Sequence, residues 1–137
     1  MKHVTLFYTQ SKKLHYKYLV AYLKLHFNDM VLTFKLDTGC QCSVIYKDAF
    51  DFITTKKEKK EDIECKLADG STIVTPSYVI NFKIRKDSKE TSSLFSVVDR
   101  EVYKENGMEV HGLIGMEFLV QNQFVIDFKN IKTEYNE

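Results

Sequence analysis

The sequence predicts a mostly β fold, because apolar, strand-like runs dominate the chain and turn dipeptides separate them. The runs "HYKYLVAYLKLHF" (15–27) and "MVLTFKL" (30–36) are rich in aromatic and branched residues, and aromatic and β-branched residues favour strands. The Asn-Asp pair between them (28–29) consists of residue types that tolerate positive φ, so a tight hairpin is predicted there. Asp69-Gly70 is a second strong turn signal, between "IECKLA" and "TIVTPSYVINFKI", and predicts a second hairpin.

The remaining segments complete this mostly β prediction. "YKDAFDF" (46–52) predicts a short helical turn, and "KKEKKED" (56–62) mixes charge signs as a solvated loop does. "SSLFSVV" (92–98) predicts another strand, and "HGLIGMEFLVQNQFVIDF" (111–128) predicts a short buried strand, one or two helical turns and a final strand. Pro76 lies within the returning strand of the second hairpin and predicts a sheet edge or a bulge.

Length and composition favour one domain spanning residues 1–137. Hydrophobic residues make up 44% and charged residues 28% of the chain, an ordinary balance for a globular protein with its own core. A net charge of +1 argues against a broad field that would attract nucleic acid or a membrane. The N-terminus lacks the apolar run of a signal peptide, no run is long enough to span a membrane, and three cysteines fit reduced thiols. These features predict an intracellular, cytoplasmic location.

The segment "FKLDTGCQCSVIY" (34–46) places a carboxylate, that of Asp37, at the end of an apolar strand. A buried carboxylate is costly unless hydrogen bonds or a partner hold its charge. Gly39 lets the backbone turn so that amide N–H groups approach the carboxylate, and the Thr38 hydroxyl can lock the loop. This arrangement suits a carboxylate used in acid–base chemistry, although Asp-Thr-Gly also occurs in plain turns.

Two further glycine-bearing segments could belong to the same site. "LADGSTIV" predicts a hairpin whose tip could close over an extended substrate and exclude water. "HGLIGMEFL" predicts a core strand whose glycines allow close packing and which could pass behind Asp37. The chain has five glycines, and four of them fall in these three segments; the fifth, in Asn106-Gly107, signals another turn.

Together these segments resemble the retropepsin-like aspartic proteases, the single-domain relatives of retroviral and retrotransposon proteases. Residues 37–45, "DTGCQCSVI", are similar to the family's catalytic loop, and residues 68–71, "ADGS", resemble the tip of its flap hairpin. Residues 113–119, "LIGMEFL", and the following "FVIDF" resemble the family's next strand, helix and strand. The resemblance covers roughly residues 16–130.

The resemblance implies a retropepsin-like acid protease fold, a closed, barrel-like sheet arrangement with a flap hairpin and one short C-terminal helix. It also implies a function, the hydrolysis of peptide bonds by a water molecule that two carboxylates activate. The site residues that it implies are the catalytic Asp37, its support Thr38 and Gly39, the flap and substrate-binding residues Ala68, Asp69, Gly70 and Ser71, and the backing residues Leu113, Ile114 and Gly115.

A single Asp-Thr-Gly determines the assembly that the resemblance implies. Because the length leaves no room for a second lobe, the site would need a homodimer, with Asp37 of each subunit on the two-fold axis. The substrate would be a protein or peptide, no metal or other cofactor would take part, and neither nucleic acid nor a membrane is expected as a partner. The sequence departs from the family pattern at Cys40, where alanine is usual, and at Gln41, where serine is common, and both bear on the substrate floor.

Two alternatives remain open from the sequence. The first is a dimer of the same fold that binds peptides or another protein without cleaving them, although the intact Asp37 favours an enzyme. The second is a thiol or metal site, for which the candidate ligands are Cys40, Cys42, Cys65 and His111. Paired Cys-x-x-Cys motifs are missing, and buried free cysteines also behave as small apolar residues. We further hypothesise that Cys40, beside the catalytic triplet, makes the activity sensitive to oxidation.

Overall fold

Turn dipeptides and apolar runs divide the chain into short strands and two helical segments. The computed structural model of the protein describes residues 2–10, 17–66, 70–127 and 132–135. The elements in chain order are β1 (Lys2–Gln10), β2 (Lys17–Phe27), β3 (Met30–Leu36), β4 (Val44–Tyr46), α1 (Lys47–Phe50), β5 (Lys57–Lys66), β6 (Thr72–Phe82), β7 (Thr91–Val98), β8 (Tyr103–Glu105), β9 (Met108–Val110), β10 (Gly112–Ile114), α2 (Met116–Gln121), β11 (Phe124–Asp127) and β12 (Lys132–Tyr135).

Ten of the twelve described strands pair in one sheet. Their order is β11-β12-β1-β2-β3-β10-β4-β7-β6-β5, and β8 and β9 form a separate two-stranded sheet. β10 is parallel to β3 and β4 is parallel to β7, whereas the other pairs are antiparallel. The mostly β fold is therefore confirmed, with the short helix α2 near its end. Among the described residues the strand order is linear and no closed barrel is found; one isolated bridge joins the backbones of His26 and Lys83.

Both predicted hairpins are present. β2 and β3 pair around Asn28, whose φ of 57° lies in the left-handed region that asparagine tolerates. β5 and β6 form the second hairpin, so the prediction of a charged loop at 56–62 is wrong. β5 pairs with β6 along one edge, while most of its charged side chains remain exposed to solvent. A register shift between Lys60 and Ile63 faces Pro76, which confirms the predicted bulge.

The smaller predicted elements are also confirmed. α1 lies inside the predicted helical turn, and β7 covers the predicted strand at 92–98. Asn106 and Gly107 join β8 to β9 with φ of 51° and 77°, the positive values of a tight hairpin turn. β10, α2 and β11 follow in the predicted order. No helix in the described ranges is long and apolar enough to cross a membrane.

The central strands carry a separate apolar cluster on each face, because alternate residues of a strand point to opposite sides of the sheet. The main core includes Leu23, Leu25, Phe27, Leu32, Phe34, Ile45, Ile80, Phe82, Phe95, Ile114 and Phe118. The second cluster consists of Val20, Tyr22, Val44, Tyr46 and Val110, with Tyr103, Met108 and Leu113 packed against it. The β8–β9 hairpin therefore covers part of the second face of β2, β3, β4 and β10.

Candidate active site

The chain turns just after β3, at residues 37–39, called the Asp37 turn below. The Asp37 N–H donates to the Ile114 carbonyl at 2.9 Å, so the pairing of β3 with β10 extends to the start of the turn. The Cys40 N–H then donates to the Asp37 carbonyl at 3.1 Å and closes the turn. These two bonds fix the backbone of Asp37 on both sides.

The Asp37 carboxylate is held by its own turn and stays partly open to solvent. The Gly39 N–H donates to Asp37 Oδ1 at 3.1 Å, the approach of an amide to the carboxylate that the sequence predicts. Asp37 is half-buried, whereas Thr38 and Gly39 are exposed. A Cβ atom added to Gly39 would lie 3.4 Å from Asp37 Oδ1, an ordinary contact. Packing within the chain therefore does not require glycine at position 39.

Gly115 lies behind the turn, against the loop that follows it. A Cβ atom on Gly115 would come within 2.5 Å of the Cys42 carbonyl oxygen and within 2.7 Å of the carbonyl oxygens of the two residues before it. The absence of a side chain is what allows this approach of two backbones. The Gly115 N–H also donates to Ser43 Oγ at 3.0 Å, which fixes the start of α2 to the loop.

The first turn of α2 is bonded to the same loop. The N–H groups of Met116 and Glu117 donate to the carbonyls of residues 40–41, at 2.7 and 3.2 Å respectively. The first N–H groups of a helix have no acceptor within the helix, so the loop carbonyls satisfy them. The helix and the loop consequently hold each other in place directly behind the Asp37 turn.

Leu113 and Ile114, the other predicted backing residues, lie on opposite faces of β10. Ile114 is fully buried in the main core, whereas Leu113 is half-buried beside the second cluster. Leu113 pairs in register with Lys35, two residues before Asp37. The structure thus brings residues 113–115 against the Asp37 turn, and their part in catalysis stays a prediction.

The predicted flap corresponds to the β5–β6 hairpin. Ala68 and Asp69 lie outside the described residues, whereas Gly70 and Ser71 are described and exposed. Gly70 has a φ of 88°, a conformation that favours glycine. The first part of β6, residues 72–75, pairs with β5 alone among the described strands, and residues 77–82 also pair with β7. This end of the hairpin is therefore a two-stranded ribbon that extends beyond the rest of the sheet.

Two of the three cysteines follow the Asp37 turn, and the third approaches them from β5. Cys40 Sγ donates to the Cys42 carbonyl at 3.1 Å, and Cys65 Sγ lies 3.3 Å from Ser96 Oγ. Burial raises the pKa of the Cys40 thiol, and burial together with the neighbouring Cys65 thiol raises the pKa of Cys42 to about 12. The described residues contain no group of three or more His, Cys, Asp or Glu side chains placed to hold a metal ion.

His111, the fourth residue of the proposed thiol or metal site, has other partners. The Thr33 N–H donates to His111 Nδ1 at 3.0 Å, and His111 Nε2 lies 3.5 Å from the Glu109 carboxylate. Burial lowers the pKa of His111 below its usual value, and the Glu109 carboxylate opposes this effect. A neutral ring whose Nδ1 accepts a backbone N–H fits these contacts, so His111 supports the strands beside the turn.

Sequence reasoning missed a polar cluster between β3 and the β8–β9 hairpin. Lys35 Nζ lies 3.1 Å from both carboxylate oxygens of Glu105, and Asn106 Nδ2 donates to the Tyr22 hydroxyl at 3.1 Å. Burial is the main reason that the pKa of Tyr22 rises to about 12. Strand alternation could have placed Lys35 on the face opposite Phe34, but no sequence signal pairs it with a residue 70 positions away.

Comparison with known proteins places these features in a family. The sequence model described as "Aspartyl protease" matches residues 23–118. Among solved structures, the chain is similar to the retroviral protease-like domain of Ddi1 from Leishmania major, with 14% sequence identity and a TM-score of 0.45, covering 85% of this chain and 93% of that one. No curated protein sequence matches the chain. The family match spans more than half of the chain and includes both the Asp37 turn and its backing, so the resemblance stated from the sequence is confirmed and the chain belongs to the aspartyl protease family.

Proposed function

We propose that the protein is an aspartic endopeptidase whose active site forms between two copies of this chain, with Asp37 contributed by each copy. The observation that supports the proposal is that the Asp37 turn has a fixed backbone and an accessible front. Its backbone is fixed from behind by β10 and the following loop, while the carboxylate, Thr38 and Gly39 are accessible at the front. Membership of the aspartyl protease family supports the same assignment.

The proposed chemistry uses the two Asp37 carboxylates as a pair. Two carboxylates about 3 Å apart cannot both be ionised, so they share one proton. The ionised carboxylate removes a proton from a water molecule, which attacks the carbonyl carbon of the substrate, and the protonated one donates to the carbonyl oxygen. A proton then passes to the leaving amine as the C–N bond breaks. The bond from the Gly39 N–H to Oδ1 supports a fixed orientation of each carboxylate during these transfers.

The need for a second chain follows from the sequence of the triplet. The chain contains one Asp-Thr-Gly, so the second carboxylate of the pair has to come from another copy. Thr38 is exposed at the front of the turn, where its hydroxyl can hydrogen-bond across the two-fold axis. Gly39 has room for a side chain within its own chain. The choice of glycine there fits close contact with a substrate or with the second copy.

The proposed substrate is a protein or peptide bound as an extended strand. The ribbon formed by residues 63–66 and 72–75 pairs with no third strand among the described residues, and a two-stranded ribbon is less constrained than a sheet. Such a ribbon suits a cover that closes over a bound strand and hydrogen-bonds to its backbone. In this proposal the tips at 68–71 of both copies enclose the peptide.

Replacement of Asp37 by asparagine tests the proposal. The side-chain amide introduced by Asp37→Asn keeps an oxygen for the Gly39 N–H but cannot take up or release the catalytic proton. A mixed peptide library is incubated with the wild type and with the variant from pH 4 to 8, and the dimer fraction is recorded by sedimentation. Asp29→Asn is the matched control, because Asp29 is exposed at the opposite end of β3.

The expected result is cleavage by the wild type and by Asp29→Asn, with a loss of at least about a hundred-fold in Asp37→Asn while the dimer persists. Equal cleavage by the wild type and by Asp37→Asn would assign the activity to a contaminant. A folded wild-type dimer that cleaves no peptide at any pH would contradict the proposal and favour a peptide-binding protein on the same fold.

A further inference from the structure

The ion pair between Lys35 and Glu105 is more sheltered than the other described ion pairs between acidic and basic side chains. Lys35 Nζ lies 3.1 Å from each oxygen of Glu105, and the two side chains are 31% and 20% exposed. The pair between Lys47 and Asp51, by comparison, is 52% and 51% exposed. An ion pair that is partly removed from water acts more strongly on a nearby charge than a fully solvated one.

Lys35 lies two residues before Asp37, near the end of β3. In β3, Leu32 and Phe34 belong to the main core, so by alternation Lys35 faces the other side of the sheet, just before the chain turns at Asp37. Two residues along an extended chain are separated by about 7 Å, so a side chain of a peptide bound across the Asp37 turn would come close to the Lys35–Glu105 pair. Leu113 pairs with Lys35 in register and contributes an apolar surface on the same face.

The β8–β9 hairpin holds Glu105 over this surface. Asn106 at its tip donates to the Tyr22 hydroxyl at 3.1 Å, and the ring of Tyr103 lies 6.1 Å from that of Tyr46. The hairpin pairs only with itself among the described strands, so these side-chain contacts attach it to the face that carries Lys35. In the proposed enzyme the hairpin would form one wall beside a peptide bound across the Asp37 turn.

We propose that the Lys35–Glu105 pair is a charge filter for the substrate, which admits an uncharged side chain beside the scissile bond and rejects a charged one of either sign. The inference rests on the proposed endopeptidase function and specifies its substrates. An incoming carboxylate would be attracted by Lys35 and repelled by Glu105, and an incoming ammonium group would meet the reverse. For either charged group the attraction and the repulsion largely cancel, so the free energy lost on dehydration is not recovered. Both charged side chains should therefore bind less well than a neutral one.

Single variants of the pair test each sign separately. A peptide that the wild type cleaves is made with Asn, Asp or Lys next to the scissile bond, and kcat/KM is measured for the three peptides. Glu105→Gln leaves Lys35 unopposed and Lys35→Met leaves Glu105 unopposed. The double variant Lys35→Glu/Glu105→Lys restores a balanced pair. Matched controls are Asp51→Asn and Lys47→Met, which make the same kinds of charge change in the exposed pair on α1.

The wild type should prefer the Asn peptide. Glu105→Gln should raise the kcat/KM of the Asp peptide relative to the Asn peptide by about ten-fold, and Lys35→Met should do the same for the Lys peptide. The exchanged pair and both controls should keep the wild-type order. If one single variant fails to fold, the other is sufficient for a decision, because each variant tests the response to a peptide side chain of one charge sign. Unchanged ratios in an active, folded variant would overturn the charge filter alone, whereas a wild type without any cleavage would overturn it together with the endopeptidase proposal.

Discussion

The Asp37 turn and the segment behind it, residues 112–115, both carry glycine, but only the segment behind needs glycine for its own packing. A Cβ atom on Gly112 would overlap the Val44 carbonyl oxygen, and one on Gly115 would press on three loop carbonyls. At Gly39 the same atom meets an ordinary contact and the residue is exposed. The back of the site is therefore specified by folding. The front carries residue types that the fold of one chain does not require, and these are the ones we assign to substrate and to the second copy.

The largest expected effect is that of Gly115→Ala, which tests the back of the site. The new methyl group would lie within 2.5 Å of the Cys42 carbonyl oxygen, so backbone has to move and the bonds from α2 to the loop are weakened. We expect a loss of about 3 kcal/mol in the free energy of unfolding and a melting temperature lower by about 10 °C. Urea and thermal denaturation followed by circular dichroism measure both. A loss below about 1 kcal/mol would mean that the loop yields easily, and the contrast between the two regions would disappear.

The sequence predicted this part of the molecule well, because its signals are local. Turn dipeptides, an apolar strand ending on Asp37 and glycines at residues 112 and 115 each act within a few positions. The order of β10, α2 and β11 followed from the same short patterns. The charged segment at 56–62 was assigned wrongly, since charge composition cannot show that a neighbouring strand will satisfy its backbone.

Features that depend on distant contacts were beyond the sequence. The partner of Lys35 lies 70 residues away, and the acceptor role of His111 depends on the Thr33 backbone, 78 residues away. Such pairings are produced by the sheet order and by the position of the β8–β9 hairpin, and period-two patterns predict only the face of each residue. The catalytic roles of the predicted site residues remain predictions.

A second test of the back of the site uses pH. Burial lowers the folded-state pKa of His111, so the unfolded chain binds more protons below the ordinary histidine pKa of about 6.5. The contribution of His111 to the free energy of unfolding should therefore be complete above that pH. It should decrease as the pH falls towards the folded pKa. Protonation also removes the Nδ1 lone pair that accepts the Thr33 N–H. His111→Asn, which keeps an acceptor without a proton-binding ring, should reduce the slope in urea titrations between about pH 5.5 and 7.

His26 provides the comparison for this measurement, since burial also lowers its pKa. His26→Asn should remove only the contribution of His26 to the pH dependence of the free energy of unfolding. The contribution of His111 should remain. If the free energy of unfolding has the same pH dependence in His111→Asn as in the wild type, then protonation of the His111 ring does not oppose folding. The back of the site would then be less sensitive to acid than the burial of His111 indicates.

The front of the site is tested by Gly39→Ala, for which we expect a small effect on stability and a larger one on activity. Because the added methyl group meets only an ordinary contact with Asp37, the free energy of unfolding should change by less than about 0.5 kcal/mol. In the proposed dimer the methyl group would nevertheless stand where a substrate or the second copy approaches, and displacement of the reacting groups should lower kcat/KM by about ten-fold or more. Unchanged cleavage and an unchanged dimer fraction would show that nothing approaches Gly39 closely.

The smallest expected effect concerns Cys40, which joins the front of the site to the loop behind it. Its position beside Asp37 suggested oxidation sensitivity, but burial raises the pKa of this thiol and Sγ donates to the Cys42 carbonyl. Peroxide attacks the thiolate, and a raised pKa leaves little of it at about pH 7. Peptide cleavage should therefore decay in hydrogen peroxide at the same rate in the wild type and in Cys40→Ala. A slower decay in the variant would support the hypothesis that Cys40 makes the activity sensitive to oxidation. A reactive thiol would then lie between the back of the site, which the fold requires, and the front, which is proposed to face the substrate.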